Sequence, residues 1–382
     1  MKITGIICEY NPFHLGHAKQ MGIISRNNRD VGIVCLMSGN YVQRGMPAVF
    51  DKALRAKAAM ECGADLVLEL PVTASLSSAE GFAAEGVRLL SGFCDSLCFG
   101  AEEASPDRLM EIAQALLKPE FSENLKEMLS LGLSFPAARQ KALEQMGIEG
   151  ELLQSPNNIL AVEYCKAIIS QNSNMIPEPI LRKGDYHDTQ PDPENPSATS
   201  LRQLIENIQD YSPYIPEAAR SFFEDAAIHS LQYGEKAILY RLRTMTDEEY
   251  EALPYGSEGL WRKLMKNARS CATLEEIITA TKSKRYTHTR LDRMVMCAFL
   301  GLTAQELASP APYARVLALN DRGREILLKA RRAGEFPNIG ERKEHPYQNI
   351  ENRCDDLYGL FSAPSPETPG ITQSRRIYYK KS

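Results

Sequence analysis

Short apolar runs alternate with helix-like segments through the first hundred residues, and this pattern constrains the fold more than any other feature of the sequence. The apolar runs are residues 2–9, 31–37, 66–70 and 96–99. The helical patterns between them are residues 14–26, 51–62 and 79–91. Buried parallel strands are continuously apolar, and the helices that connect them cover both faces of the sheet. The pattern therefore predicts an α/β fold with a doubly wound parallel sheet.

The loops that follow these strands are expected to meet at one edge of the sheet. Parallel strands joined by right-handed crossovers have their carboxyl ends on the same side, and ligands bind outside those ends. The loops in question are 10–17, 38–47, 71–78 and 100–104. A candidate site is therefore expected at this edge.

Helical patterns dominate the rest of the chain. After a mostly helical stretch at 105–171, a strand is expected at 176–182, and Ser197 or Thr199 is the expected N-cap of the next helix. Further helices are expected at residues 221–244, 257–268, 274–281, 290–300 and 322–332, and one strand is expected at 313–319. We therefore divide the chain into an α/β domain (1–210), a mainly helical domain (211–335) and a C-terminal extension (336–382).

The charge distribution suggests one basic surface. The 382-residue chain has a formal net charge of −5, which argues against general nucleic-acid binding, but basic residues cluster at 282–293 and in the tail at 375–381. Such a cluster can bind phosphates, and Tyr286 or His288 could stack on a base. A solvated helix face is the alternative interpretation. The candidate RNA-binding residues are Lys282, Lys284, Arg285, Tyr286, Arg290 and Arg293.

Cysteine usage and hydropathy suggest the compartment. The nine cysteines are scattered and odd in number, which is typical of reduced thiols, and no spacing indicates a resident metal site. Residues 2–9 do not resemble a signal peptide, and no apolar run approaches about 18 residues. We expect a cytoplasmic protein without membrane association.

The segment Asn11-Pro-Phe-His14-Leu-Gly16-His17 is the sharpest motif in the sequence. Its two histidines are three residues apart at the start of a predicted helix, so their rings face the same way. A helix N-terminus favours anions, and Gly16 allows a base or phosphate to approach the backbone closely. The motif predicts a phosphate-binding site in which His14 and His17 stabilise charge on an α-phosphate.

A second motif, Ser197-Ala-Thr199-Ser-Leu-Arg202, opens a later predicted helix. A hydroxyl and an arginine at a helix start suit the β- and γ-phosphates of a nucleotide. Such a motif is weak by itself, because Ser and Thr caps are common. Together with the first motif it favours Thr199 and Arg202 as catalytic residues.

These two motifs resemble the HxGH and S/T-x-S/T-x-x-R signatures of the adenylyl-transferring nucleotidyltransferases, which have a Rossmann-like fold. Further segments resemble one family within that group, the bacterial tRNA(Met) cytidine acetate ligases. These segments are 9–17, 37–48, 65–71, 99–100, 155–160, 185–188 and 284–290. The resemblance covers most of residues 1–330.

The resemblance implies an ATP-dependent acetate ligase. Such an enzyme forms acetyl-adenylate from acetate and ATP, then acetylates the wobble cytidine of elongator tRNA(Met) to N4-acetylcytidine, without acetyl-coenzyme A. Mg²⁺ is expected with ATP, and no obligate protein partner is evident. Residues 1–210 would be the catalytic domain, and residues 211–335 would bind tRNA.

The resemblance also implies a set of site residues. Gly100 and Arg182 would contact ATP, with a turn glycine and a surface salt bridge as the alternatives. Asn157 or Asn158 could contact adenine or ribose, although one of them could instead cap a helix. The loop residues Ser38, Gly39 and Arg44 would bind acetate or pyrophosphate. The full set of expected ATP contacts is Ile7, Cys8, Glu9, Tyr10, Asn11, Pro12, Phe13, His14, Leu15, Gly16, His17, Gly100, Asn157 and Arg182.

Two other functions fit part of the sequence. A small-molecule adenylyl- or cytidylyltransferase would use the same two motifs, but it would not need a helical domain with a basic cluster. A non-catalytic RNA-binding protein could share the fold, but both histidines and the Thr199–Arg202 pair are intact. The acetate ligase accounts for more of the chain than either alternative.

Overall fold

The computed structural model describes residues 1–182, 191–193, 195–283, 286–333 and 346–381. The strands are β1 (Lys2–Cys8), β2 (Val31–Ser38), β3 (Tyr41–Val42), β4 (Met46–Pro47), β5 (Leu66–Leu70), β6 (Ser96–Ala101), β7 (Ile176–Leu181), β8 (Arg315–Leu319) and β9 (Tyr378–Tyr379).

The helices are α1 (Leu15–Asn27), α2 (Lys52–Glu61), α3 (Val72–Ser75), α4 (Ala79–Leu90), α5 (Pro106–Leu116), α6 (Pro119–Ser130), α7 (Phe135–Gln145), α8 (Pro156–Ser170), α9 (Ala198–Glu206), α10 (Glu217–Arg220), α11 (Leu231–Thr244), α12 (Asp247–Glu251), α13 (Leu260–Ala268), α14 (Leu274–Thr281), α15 (His288–Leu300), α16 (Ala304–Ala308), α17 (Asp321–Ala333), α18 (Pro346–Tyr358) and α19 (Ile371–Ser374).

Within the described residues, seven strands form the main sheet in the order β7-β6-β1-β2-β5-β8-β9. Strands β1, β2, β5, β6 and β7 are parallel, β8 is antiparallel to β5, and β9 is parallel to β8. The chain moves outward from β1 through β2 to β5, then returns to the other side of β1 as β6. The point where the strand order reverses therefore lies between β1 and β6, which is where such sheets bind ligands. The predicted α/β fold is confirmed.

The central strands are buried on both faces, as their continuous apolar sequences predict. Alternate residues of β2 point to opposite sides: Val34 and Leu36 join the core beneath α4, α5 and α8, whereas Ile33 and Cys35 join the core beneath α1, α2 and α9. These two cores fix the sheet between helical layers. The carboxyl ends of β1 and β6 are consequently held side by side.

Several sequence-based boundaries differ from the structure. The helix expected at 221–244 begins only at Leu231, because the N–H groups of His229 and Ser230 donate to the carbonyl oxygens of Val49 and Phe361 instead of to a helix. The loop 38–47 contains the hairpin β3–β4. Gly100 lies within β6, not at its end, because pairing with β7 continues to Ala101.

The helices α11–α16 enclose a third core that also includes residues of α18. After these helices the chain returns to the main sheet as β8, so strands from both ends of the sequence share one sheet. The boundaries at 210 and 335 stay predictions. In the part of the chain that the structure describes, no helix is long and apolar enough to span a membrane.

A buried ionic network joins α18 to the sheet. Lys52 Nζ lies 2.7 Å from Glu69 Oε1 and 2.6 Å from Asp355 Oδ2. Arg315 of β8 also donates to both Glu69 and Asp355, and it lies 3.4 Å from Glu351. The C-terminal extension thus supplies two carboxylates, Glu351 and Asp355, to the interior of the protein.

Candidate functional site

A cavity of about 640 Å³ opens at the carboxyl edge of the sheet, beside β1 and β6. Three helices direct their N-terminal turns into it, since Gly16 of α1, Asn157 of α8 and Thr199 of α9 all line its wall. Helix N-termini carry partial positive charge and unpaired N–H groups. The cavity is therefore suited to a large polyanionic ligand.

His14 and His17 form one unit at the start of α1. His14 is the N-cap, and its Nδ1 accepts a hydrogen bond from the Gly16 N–H at 3.1 Å. His17 Nδ1 accepts in turn from the His14 N–H at 3.2 Å. The two rings stack with centroids 3.7 Å apart. Because each Nδ1 accepts, the ring proton of each neutral imidazole lies on Nε2, and both Nε2–H groups are donors.

Both histidines are neutral at physiological pH. Burial, reinforced by the positive charges of Arg182 and Arg202, lowers the pKa of His14 to about 3. Burial also lowers the pKa of His17 well below its ordinary value, with a further contribution from His14. Neutral donors can bind a phosphate oxygen without a change in protonation.

Arg202 joins the second motif to the first. Its Nη1 donates to the carbonyl oxygen of Asn11 at 2.8 Å, and its Nη2 donates to Thr199 Oγ1 at 3.1 Å. Burial and the charge of Arg44 lower the pKa of Arg202 to about 10, so the side chain stays cationic near pH 7. Ser197, not Thr199, caps α9 by accepting from the Ser200 N–H. Thr199 and Arg202 both line the cavity.

The two asparagines of α8 have different roles. Asn157 lines the cavity, donates to Glu102 at 2.7 Å and accepts from Arg182 Nη1 at 3.2 Å. The side chain of Asn158 is buried and accepts from the Glu103 N–H. Of the two, the structure therefore brings Asn157 to the site, together with Arg182.

Only part of the loop 38–47 reaches the cavity. Arg44 and Gln43 line it, and the Gln43 N–H donates to Glu9 Oε1 at 2.7 Å. Ser38 and Gly39 do not line it. Their carbonyl oxygens accept from the buried guanidinium of Arg55, which holds the start of the loop against the sheet.

Most of the expected ATP contacts line the cavity, and three do not. Pro12, Phe13 and Leu15 lie outside its wall. Phe13 is fully buried and packs against Tyr10 and His17, so it stabilises the position of the His17 ring without lining the cavity. The expected contacts that line the wall are Ile7, Cys8, Glu9, Tyr10, Asn11, His14, Gly16, His17, Gly100, Asn157 and Arg182.

Sequence reasoning missed an apolar portion of the wall. Residues of α4, β6 and α8 form it: Ala79, Phe82, Phe99, Ile159, Leu160 and Tyr164. Scattered apolar residues at helical spacing look like ordinary core in a sequence, and only the fold shows that they face a cavity. Cationic and apolar portions within one cavity suit a ligand with an anionic chain and a flat ring system.

The predicted RNA-binding residues are not all available at the surface. Lys282 is exposed. Arg290 donates to the Tyr255 carbonyl and Ser257, and Tyr286 donates to Glu258. Arg293 is only 8% exposed and donates to the carbonyl oxygen of Gln43, so it links α15 to the loop at the cavity rather than facing an RNA. Lys284, Arg285 and the segment 185–188 lie outside the described residues.

Comparisons with known proteins assign the chain to a family. The model of the HIGH Nucleotidyl Transferase family matches residues 1–370. A tRNA(Met) cytidine acetate ligase of Clostridium novyi is 36% identical over 88% of this chain and 89% of its own, and one of Clostridium perfringens is 36% identical over 95% and 96%.

Solved structures agree with this assignment. Crystal structures of Thermotoga maritima TmcAL in the apo form and bound with alpha-thio ATP superpose with TM-scores of 0.89 and 0.88. Each is 26% identical in sequence, and the match covers 100% of both chains. By sequence and by structure, the chain belongs to the tRNA(Met) cytidine acetate ligase family of HIGH nucleotidyl transferases.

Proposed function

We propose that the protein forms acetyl-adenylate from acetate and ATP and transfers the acetyl group to the N4 amine of the wobble cytidine of elongator tRNA(Met). The observation that carries the proposal is the meeting of His14, His17, Thr199 and Arg202 at one cavity, in a chain of this family. The clostridial relatives are named for this ligase activity, and TmcAL has been crystallised with an ATP analogue.

ATP would lie across the two portions of the cavity. The apolar portion formed in part by Phe82, Phe99 and Tyr164 would hold the adenine, and the three helix N-termini with Arg182 and Arg202 would face the phosphates. The volume of about 640 Å³ is within the range of ordinary ligand pockets. The helix N-termini and the two arginines would thus neutralise the charge of the triphosphate.

In the first step, an acetate oxygen attacks the α-phosphorus in line with the bond to the β-phosphate. The new O–P bond forms as the α,β-bridging bond breaks, and pyrophosphate leaves. The Nε2–H groups of His14 and His17 would donate to α-phosphate oxygens as charge builds on them, while Thr199 and Arg202 would hold the departing pyrophosphate. No covalent enzyme intermediate is needed.

In the second step, the neutral N4 amine of cytidine attacks the acetyl carbon. The C–N bond forms, the bond from the acetyl carbon to the phosphate oxygen breaks, and AMP leaves as the amine loses a proton. A mixed anhydride is already activated, so the main requirement is that cytidine and acetyl-adenylate are held together. Acetyl-coenzyme A has no part in this scheme.

Mg²⁺ is expected to accompany ATP. Glu9 is a carboxylate in the cavity wall, and its Oε1 accepts from the Gln43 N–H at 2.7 Å. Proteins commonly bind Mg²⁺ with one or two carboxylates and the phosphates of the substrate. Glu9 therefore fits the ion, which would neutralise phosphate charge.

A direct assay tests the proposal. The protein is incubated with radiolabelled acetate, ATP and elongator tRNA(Met), and the acid-precipitated RNA is digested and searched for labelled N4-acetylcytidine. We expect label in the RNA with acetate and ATP, and none when acetyl-coenzyme A replaces them. Unlabelled RNA, with pyrophosphate release that depends on another acid or alcohol, would instead identify a small-molecule adenylyltransferase. Bound tRNA without any pyrophosphate release would identify a non-catalytic RNA-binding protein.

A further inference from the structure

A stripe of exposed cations runs along α13. Arg262, Lys263 and Lys266 are all exposed, and at about 100° per residue they lie within an arc of about 100° around the helix. The packed side of the helix is formed by the buried residues Leu260, Leu264 and Ala268. The outward side of α13 is therefore uniformly basic over its length.

Lys282 extends this stripe beyond α13. Lys263 Nζ donates to the Lys282 carbonyl oxygen at 3.1 Å, so the segment after α14 lies beside the helix, and the Lys282 side chain is exposed. The described ion pairs nearest in the chain join Arg241 to Glu249 and Arg269 to Asp247. None of the described ion pairs includes the four cations Arg262, Lys263, Lys266 and Lys282, which we call the α13 stripe.

An aromatic residue accompanies the α13 stripe. The Arg262 guanidinium lies 4.8 Å from the ring centroid of Trp261, and Trp261 is the single tryptophan of the chain. A change in the environment of Arg262 should therefore change the fluorescence of Trp261.

Packing connects the helix that carries the stripe to a loop at the cavity. Helices α13, α14 and α15 share one core, and Arg293 of α15 donates to the carbonyl oxygen of Gln43, which lines the cavity. The loop and α15 also pack closely at Gly45, because a Cβ at Gly45 would lie 2.4 Å from the backbone nitrogen of Arg293. A polymer bound to α13 would therefore lie on the same packed group of helices, α13 to α15, that contacts the Gln43 loop at the cavity.

We infer that the α13 stripe binds the sugar-phosphate backbone of the RNA substrate; the inference rests on the proposed function. A chain with a net charge of −5 carries the same sign of net charge as RNA, so binding requires a local surface of the opposite sign. The stripe offers four cations that belong to none of the described ion pairs, and phosphate contacts need such cations. The more C-terminal cations of the basic cluster serve other contacts, since Arg290 and Arg293 bind backbone carbonyls of the protein.

The test replaces Arg262, Lys263 and Lys266 together by alanine and measures binding of elongator tRNA(Met) across a series of KCl concentrations. The affinity should fall roughly tenfold or more, and the slope of log affinity against log salt should fall by about 2 to 3. The single variant Lys266→Ala should lower the slope by about 1. Acetate-dependent ATP–pyrophosphate exchange without tRNA should stay at the wild-type level in both variants.

A matched control replaces Lys118, Lys126 and Lys141, three exposed cations near α6 and α7, and should leave binding unchanged. In the wild type, saturating tRNA should change the emission of Trp261. Wild-type affinity and salt dependence in the triple variant would overturn the inference, as would an equal loss in the control. Failure of the proposed function is separate, because it would appear as absent acetate-dependent exchange in the wild type.

Discussion

His17 accepts through Nδ1 the backbone N–H of His14, whose own Nδ1 accepts the N–H of Gly16. The two imidazoles thus replace the hydroxyl and carboxylate of an ordinary capping box at the start of α1. One pair of side chains therefore caps the helix, fixes its own tautomers and, under the proposed function, provides two Nε2–H donors for a phosphate. The structural and chemical roles of the motif can be separated by mutation.

The first prediction concerns His14→Asn. Asparagine is a good N-cap, so its side-chain oxygen can accept the Gly16 N–H, but it does not reach where Nε2 lies. We expect acetate-dependent pyrophosphate exchange to fall by about 10²- to 10³-fold, as when one donor to a developing charge is removed. The midpoint of thermal unfolding should change little. His14→Ala should lose the same activity and about 1 kcal/mol of stability in addition.

The second prediction concerns pH. Because the pKa of folded His14 is about 3 and its ordinary value is 6.5, the unfolded chain binds the extra proton as pH falls. The stability that His14 contributes is therefore complete above pH 6.5 and is lost as pH falls toward 3. Between pH 7 and pH 5 the loss should be on the order of 2 kcal/mol.

Urea unfolding of wild type and His14→Asn at pH 7 and pH 5 measures this loss. The variant should be less sensitive to acid by about that amount. His288→Asn, which changes an exposed histidine at the start of α15, serves as the control and should behave like the wild type. Equal acid sensitivity of His14→Asn and wild type would contradict burial of a neutral His14.

The sequence predicted the sheet and the motif well because both are local in the chain. Buried strands such as 31–37 are apolar throughout, and His14 and His17 are three residues apart, so periodicity suffices. It could not predict that β8 would join the same sheet, because strand pairing between β5 and residues about 250 positions later depends on tertiary packing. The burial of the carboxylates of Glu351 and Asp355 could not be predicted for the same reason.

Within the site, the sequence showed which residue types were suited to binding, but it did not show which of their side chains face the cavity. Gly39 and Arg44 belong to one loop, yet Arg55 binds the carbonyl oxygen of the former while the latter lines the cavity. Arg293 follows Arg290 by one turn and looks equally available to RNA, but it is buried. Side-chain direction at a loop or helix junction depends on neighbours distant in sequence.

The third prediction tests the contact between Gly100 and Arg182. A Cβ at position 100 would lie 3.0 Å from both Cγ and Cδ of Arg182, so Gly100→Ala should move the arginine by a few tenths of an ångström. Under the proposed function Arg182 contacts ATP, so misplacing it should raise KM for ATP several-fold with a smaller effect on kcat. Steady-state kinetics of pyrophosphate exchange measures both constants. Gly22→Ala, where the nearest atom is 3.6 Å away, should leave KM unchanged.

The fourth prediction concerns the C-terminal helix. Asp355 accepts from Lys52, Arg315 and Asn40 in a buried network. Asp355→Ala leaves the fully buried Lys52 with Glu69 as its remaining carboxylate, and breaking a buried pair in this way should cost about 3 to 5 kcal/mol of stability. Urea unfolding measures the loss. The exposed pair of Asp247 with Arg269 is the matched control, because Asp247→Ala should cost less than about 1 kcal/mol.

The same network should also act on the site through Asn40. Asn40 donates to Asp355 and accepts the Lys52 N–H, and it begins the short segment that brings Gln43 and Arg44 to the cavity. Asp355→Asn keeps the size of the side chain but removes its charge, so the hydrogen bond from Asn40 that fixes this segment should weaken. We expect KM for ATP to rise at temperatures where the variant is still fully folded by circular dichroism. An unchanged KM in the folded variant would limit α18 to a purely stabilising role.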